Sequence, residues 1–104
     1  MITLKLYKTE NGREPLTEWI DGLKDVTIRN RIRQRIHRLT LGQFGDSKPV
    51  GDGVHELRFF FGSGYRVYYA KDGKTVILLL CGGDKSSQKH DIETAKTYWK
   101  HYHD

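Results

Sequence analysis

The pattern of apolar and polar residues predicts three β-strands in close succession in the second half of the chain. The runs VHELRFFF, YRVYYA and TVILLLC are separated by Gly62-Ser63-Gly64 and by Asp72-Gly73. An Asp-Gly pair between two such runs is typical of a type I′ hairpin turn, in which both central residues have positive φ. We therefore expect an antiparallel meander from Val54 to Gly82, with one face buried and the other exposed to solvent.

Helical spacing dominates the first half of the chain after one short strand. Alternation from Ile2 to Tyr7 predicts the strand, and Pro15 begins a short helix in the segment LTEWIDGLKD. Val26 to Leu41 has the spacing of a second helix, with one apolar stripe and a basic face that we interpret as solvated. The stripe is Ile28, Ile32, Ile36 and Leu39, and the arginines are Arg29, Arg31, Arg33, Arg35 and Arg38.

The remaining segments complete a small α+β fold. Gly42 to Gly53 has no periodicity and is rich in Gly and Asp, which predicts a loop. A last helix is expected from about Gln88 to Lys100, capped by Ser86 or Ser87, with frayed residues after it. The order of elements predicts a single domain, residues 1–104, of two layers. Its small, mainly antiparallel sheet packs against two N-terminal helices and a C-terminal helix, all on one face.

The composition of the chain indicates what kind of molecule it binds and in which compartment it is found. The 104 residues carry a net charge of +5 and a pI near 9.4, which favours nucleic acid or an acidic protein segment. The single cysteine, Cys81, lies in an apolar run and is interpreted as a small core residue of a protein in a reducing cytosol. Met1 to Leu6 is too short for a signal peptide, and no apolar run reaches membrane-spanning length, so we expect a cytoplasmic protein without membrane contact.

Basic residues gather at two points that could meet. Arg58 and Arg66 are expected on paired strands across one hairpin, where two guanidinium groups suit a phosphate. The alternative is that Arg58 pairs with Glu56 on the same strand face. A second group lies at the start of the last helix, where free backbone amides favour an anion, although simple capping is the alternative. This group is Lys85, Ser86, Ser87, Gln88, Lys89 and His90.

Aromatic residues and histidines offer weaker signals. Tyr65, Tyr68 and Tyr69 alternate with Arg66 and could stack on unpaired bases or lie in the core. The five histidines lack the spacing of metal ligands, so zinc is not expected. His55 or His90 could act as an acid or a base near neutral pH, or be an ordinary surface histidine.

Taken together, three segments resemble the RelE/ParE superfamily of bacterial toxins, and most of all its HigB-like branch of phage-derived addiction module killer proteins. The similar motifs are V-x-E-L-R at Val54 to Arg58, G-Y-R-V-x-Y at Gly64 to Tyr69, and L-L-x-G-G-D-K-S-x-Q-x-x-D-I at Leu79 to Ile92. The early helix, Glu14 to Ile20, is also similar. The resemblance covers nearly the whole chain.

This resemblance implies a ribosome-dependent endoribonuclease that cleaves mRNA and uses neither a metal nor a cofactor. Arg66 corresponds to a family arginine that holds the scissile phosphate, and Arg58 and Lys85 lie where further basic residues are found. In relatives the start of the last helix, here Gln88 and Asp91, supplies a tyrosine or a histidine. That aromatic residue is absent here unless His90 takes its place, so His90 and Asp91 are the catalytic candidates. The candidates for RNA contact are Gln88, Lys89, Tyr65 and Tyr68.

The resemblance also implies partners and leaves alternatives open. The expected partner is a cognate, HigA-like antitoxin with a helix-turn-helix domain, through which DNA is contacted only indirectly. A ParE-like poison of DNA gyrase has the same fold, so the fold does not decide between the two activities. A third possibility is an inactive prophage-derived homologue that only binds its antitoxin.

Overall fold

A computed structural model describes all residues from Met1 to Asp104. The elements in chain order are β1 (Thr3–Leu6), α1 (Pro15–Asp21), α2 (Val26–Arg38), β2 (Ser47–Gly51), β3 (Val54–Arg58), β4 (Arg66–Asp72), β5 (Val76–Gly83) and α3 (Gln88–His103). One 3-10 turn, Leu39–Leu41, follows α2, and another, Lys85–Ser87, precedes α3. No helix combines the length and the apolarity that crossing a bilayer requires.

The five strands form one mixed sheet in the order β1-β5-β4-β3-β2. Strands β3, β4 and β5 pair antiparallel, as the meander prediction requires, while β1 runs parallel to β5 at one edge. The turn between β4 and β5 differs from the predicted type I′ turn. Asp72 pairs with Val76, and in the intervening turn only Gly73 has positive φ, at 72°. A longer turn needs just one left-handed residue, and glycine supplies it.

The N-terminal helices begin and end for local reasons. The Asp25 carboxylate accepts hydrogen bonds from the backbone amides of Thr27 and Ile28, at 2.8 and 3.3 Å, which caps α2. Helix α1 ends one turn earlier than the segment predicted for it, because the chain leaves the helix at Gly22. The predicted apolar stripe of α2 is confirmed, with Ile32 and Leu39 fully buried.

Helices cover both faces of the sheet. Val67 and Tyr69 of β4 belong to the 11-residue core shared with α1 and α2. Their neighbours Tyr68 and Ala70 point the other way, into an 8-residue core that includes Ala95 of α3. The α+β class and its mainly antiparallel sheet are confirmed. The prediction that all helices lie on one face is wrong, because successive strand residues are buried on opposite faces.

Two segments predicted to be irregular are ordered. The predicted loop from Gly42 to Gly53 contains the edge strand β2, in which Pro49 is tolerated because an edge strand has one unpaired side. The predicted fraying after Lys100 is wrong, since α3 continues to His103. The His103 ring lies against Trp99, with centroids 3.8 Å apart, and so secures the last turn.

Candidate functional site

A shallow cleft of about 460 Å³ lies at the end of the sheet where β3 turns into β4 and β5 leads to α3. It contains three cationic side chains, two phenylalanine rings and the backbone of the β3–β4 turn. We call it the basic cleft. Its lining residues are Arg58, Phe59, Phe60, Gly62, Ser63, Gly64, Arg66 and Lys85. The structure therefore brings together the three cations that the sequence placed on separate elements.

The strand register explains this convergence. Arg58 and Arg66 are direct partners in the β3–β4 pair, and Gly83 of β5 is opposite Arg66 on the other side. The chain reaches Lys85 two residues later, and its backbone amide donates to the Ser63 carbonyl at 3.3 Å. Gly64 adopts a φ of 74° between these cations, so the turn approaches them without a side chain in the way.

Arg66 is fixed before any ligand arrives. Its side chain is only 13% exposed, and its Nε lies 3.5 Å from the Glu56 Oε2. Its Nη1 donates to the carbonyl of Gly64 at 2.7 Å. A guanidinium has five donors, so further donors of Arg66 remain to meet an anion in the cleft. The cation is thus held in position on one side and available on the other.

A buried carboxylate, that of Glu56, holds this arrangement together. Its Oε2 accepts hydrogen bonds from the Tyr68 hydroxyl at 3.1 Å and the Gln88 Nε2 at 2.9 Å, besides facing Arg66. Burial, and then the nearby Glu56 charge, raises the pKa of Tyr68 far above its usual value, so this phenol stays a donor. Glu56 thereby links β3, β4 and the first residue of α3 at one point beneath the cleft.

The sequence did not indicate this role for Glu56. The predicted alternative paired it with Arg58, which instead donates from Nη2 to Asp46 Oδ1 at 2.9 Å. That hydrogen bond raises the pKa of Arg58, and the Asp46 charge offsets part of the positive charge of the cleft. The available signal was an acidic residue in a strand that also contains Val54 and Leu57, because a charged residue that is buried in such a strand needs a partner.

Of the residues predicted to gather at the start of the last helix, Lys85 lines the cleft but Lys89 and His90 do not. Both Lys89 and His90 are exposed. The Asp91 carboxylate accepts a hydrogen bond from the Ser87 hydroxyl at 2.5 Å and lies against Gly83. The catalytic roles of His90 and Asp91 stay predictions.

The capping prediction is wrong at this junction. Ser87 occupies the position before α3 but makes no capping hydrogen bond with its side chain. The Asp84 carboxylate caps the preceding 3-10 turn instead, accepting from the Ser86 amide at 2.9 Å. Its hydrogen bonds with Ser86 lower the pKa of Asp84, which makes this carboxylate a poor base.

The aromatic residues divide between core and surface. Tyr68 is fully buried, so the prediction that it contacts RNA is wrong. Tyr65 is half-buried beneath the turn, with its ring centroid 6.0 Å from both Trp19 and Phe61. Phe60, by contrast, is 81% exposed at the mouth of the cleft. The sequence signal for it was the run of three phenylalanines, of which alternation must turn at least one outward.

The remaining candidates for chemistry are buried or dispersed. Cys81 is buried, as interpreted from the sequence, and burial raises the pKa of its thiol to about 12, which makes it a poor nucleophile. His55 is stacked on Tyr69, with centroids 5.3 Å apart, and burial lowers its pKa. No three side chains of His, Cys, Asp or Glu lie close enough together to hold a metal ion.

Comparison with known proteins identifies the family of the chain. A protein of Haemophilus influenzae, described as an uncharacterized protein, is 49% identical over 78 residues, which are 75% of this chain and 79% of that one. The family model of phage-derived Gp49-like proteins (DUF891) matches residues 18–100, which include α2, the meander and most of α3. The chain therefore belongs to the Gp49-like family, a family of addiction-module killer-type proteins.

Proposed function

We propose that this protein is the toxin of a type II toxin–antitoxin module and that it cleaves mRNA on the ribosome without a metal ion. The observation that carries the proposal is the convergence of Arg58, Arg66 and Lys85 on one open cleft. Membership of a family of addiction-module killers supports the toxin role, and the motif resemblance to HigB-like members of the RelE/ParE superfamily supports the nuclease activity.

The chemistry needs stabilisation of negative charge above all. The ribose 2′-oxygen attacks the adjacent phosphorus and loses its proton to a base. The bond from phosphorus to the 5′-oxygen breaks, and an acid protonates that oxygen. The products are a 2′,3′-cyclic phosphate and a free 5′-hydroxyl. Extra negative charge accumulates on the phosphorane between these steps, and preorganised cations around it lower the barrier.

The cleft residues fit this requirement in different ways. Arg66 is already oriented by Glu56 and the Gly64 carbonyl, so it can meet a phosphate oxygen with little reorganisation. Lys85 is exposed and forms no ion pair, so it can move towards the developing charge. Arg58 must share its donors with Asp46, which makes it the weakest of the three. His90 and Asp91 remain the candidates for base and acid.

The partners follow from the same proposal. The net charge of +5 suits both ribosomal RNA and an antitoxin that covers basic surface. We expect a cognate, HigA-like antitoxin with a helix-turn-helix domain, and contact with DNA only through it. The toxin would act in the cytoplasm, where translated mRNA is found.

Primer extension on cellular mRNA after induction tests the activity. Wild type should produce cuts within translated codons, and Lys85→Ala should reduce them about 10²-fold, as expected for loss of one charge-stabilising group. Lys85 is preferable to Arg66 as the main variant because its removal leaves no buried carboxylate without a partner. The matched control is Lys74→Ala, in the exposed turn at the opposite end of the sheet.

Two outcomes would overturn the proposal. Intact transcripts together with DNA damage would assign the chain to the gyrase poisons, and expression without growth arrest would make it an inactive homologue. Arg66→Lys gives an internal check, since it keeps the charge but loses the planar pair of donors, and should cleave measurably less than wild type.

A further inference from the structure

A second basic depression lies beside the basic cleft, on the exposed side of α2. It has a volume of about 340 Å³ and is lined by one helix face and the phenylalanine run after β3. We call it the α2 groove. Its residues are Arg31, Gln34, Arg35, Arg38 and Phe59 to Phe61.

The arginines of this groove have no carboxylate of their own. None of the three forms an ion pair, whereas Arg33, on the same helix, pairs with Asp21 at 3.0 Å. Arg31 lies over the Phe61 ring at 4.1 Å from its centroid, and Arg35 over Phe59 at 5.0 Å. These rings orient the guanidinium groups without neutralising them.

Arg35 has a buried donor without a hydrogen-bond partner. Its Nη1 donates to the Arg58 carbonyl at 3.2 Å, but its Nη2 is buried and has no partner. Burial of this guanidinium is costly and is offset only in part by the charge of Asp46, so a further anion in the groove would offset more of that cost. The Arg31, Arg35 and Arg38 positions span about 10 Å of helix at 1.5 Å per residue, which suits an extended polyanion better than a single ion.

The groove and the cleft are continuous through two shared residues, Phe59 and Phe60. Phe60 projects between them with 81% of its surface exposed, and the Arg58 guanidinium lies 5.8 Å from its ring centroid. An exposed aromatic ring among cations is the combination on which single-stranded nucleic acid binds, because bases stack on rings while phosphates meet the charges.

We propose that the α2 groove binds the single-stranded RNA that continues out of the basic cleft, with phosphates on Arg31, Arg35 and Arg38 and a base stacked on Phe60. This inference rests on the proposed function and extends its substrate site beyond the scissile phosphate. An acidic protein segment would match the charges but has no need of the shared ring, so RNA is the occupant that the continuity favours.

Fluorescence anisotropy with a labelled, fully 2′-O-methylated oligoribonucleotide tests the groove, because this probe binds but cannot be cleaved. Phe60→Ala should weaken binding about tenfold, and Phe60→Tyr should keep it. Arg31→Ala and Arg38→Ala should each reduce the slope of log affinity against log salt by about 0.7. Arg33→Ala is the matched control, since this arginine lies on the same helix but outside the groove.

Each result has a defined meaning. Variants that bind the probe with wild-type affinity and slope overturn the inference, and so would groove variants that lose the antitoxin but not RNA. If wild type binds the probe through the groove yet leaves cellular mRNA intact, the groove is confirmed and the nuclease proposal fails. If wild type cleaves mRNA but the groove variants bind the probe normally, the nuclease proposal is confirmed and the inference about the groove fails. Thermal melting by circular dichroism verifies that each variant is folded.

Discussion

The two faces of the sheet are buried by different chemistry. On the face covered by α1 and α2, the buried core consists of apolar residues and one tyrosine, Tyr69. The face covered by α3 buries the Glu56 charge beneath the basic cleft, with partners from β4 and α3. A buried ion pair contributes little net stability, but leaving one partner alone is costly, so such a pair fixes geometry. We infer that the first face stabilises the fold and the second orients the site.

Ile32→Ala should show the largest effect on stability. Ile32 is fully buried in the core between α2 and the sheet, and truncating such a residue leaves a cavity. We expect the free energy of unfolding to fall by about 2–5 kcal/mol, measured by urea denaturation. Cleavage per folded molecule should stay near wild type. A selective loss of cleavage in molecules that remain folded would contradict the division between the faces.

Substitutions at two adjacent glycines at the end of β5 allow the two faces of the sheet to be compared directly. A Cβ at Gly82 would collide with the rigid Trp19 ring of α1, and one at Gly83 with the Asp91 carboxylate of α3. Gly82→Ala should therefore cost about 1–3 kcal/mol of stability, the usual range for overpacking.

Gly83→Ala should cost less stability, because a carboxylate can rotate away from the new methyl group. It should nevertheless disturb the start of α3 and reduce cleavage. Urea denaturation and primer extension on both variants measure the two effects. If Gly82→Ala were the more damaging variant in cleavage per folded molecule, α1 rather than α3 would control the site.

Glu56→Gln tests whether the charge of Glu56 orients Arg66 or whether the side chain only fills the core. The substitution keeps the size of the side chain but removes the charge that faces Arg66, so the cation loses its fixed position. We expect a loss of about 1–2 kcal/mol in stability and a reduction in cleavage of about tenfold, comparable to other losses of a supporting contact.

Tyr68→Phe is the matched control for Glu56→Gln. It removes one hydrogen bond to the same carboxylate oxygen but leaves the ion pair intact. Its cleavage should therefore remain close to wild type. Equal cleavage in both variants would mean that Glu56 serves only the core.

The pH dependence of stability tests a contribution that appears only under alkaline conditions. Burial raises the pKa of Cys81 from 9.0 to about 12, so the folded state retains a proton that the unfolded state releases. The contribution of the Cys81 thiol to stability is complete below pH 9 and is lost as pH rises towards 12. Cys81→Ala should reduce that downward slope by up to about 1.4 kcal/mol per pH unit, measured by urea denaturation across this range. An unchanged slope would show that the thiol is not protected.

The sequence predicted most of the helices and strands, but it did not predict that helices cover the second face of the sheet. Alternation and glycine turns identified the meander, and the apolar stripe identified α2. The strand at Ser47–Gly51 was not predicted, because it contains Pro49 and lies at an edge, where strand propensity matters less. The run from Ile77 to Cys81 is apolar at every position, which is typical of a strand buried on both faces and could have placed α3 opposite the other helices.

The candidate site was also partly accessible from sequence. Arg58 and Arg66 were placed opposite each other because hairpin register follows from the turn, and the structure puts Lys85 beside them. Burial of Tyr68 and Glu56 could not be read in the same way. Whether a polar strand residue points into a core or towards solvent depends on which helix covers that face, and this is decided by contacts distant in the chain.

The parallel pairing of β1 with β5 has a consequence for biosynthesis. β1 hydrogen-bonds to no other strand, and 69 residues separate its last residue, Leu6, from the start of Val76–Gly83. A nascent chain therefore has no partner for its first strand until this late segment emerges, and Lys85 follows directly after it. Completion of the sheet and assembly of the basic cleft thus coincide in the nascent chain, because both require the segment from Val76 to Lys85.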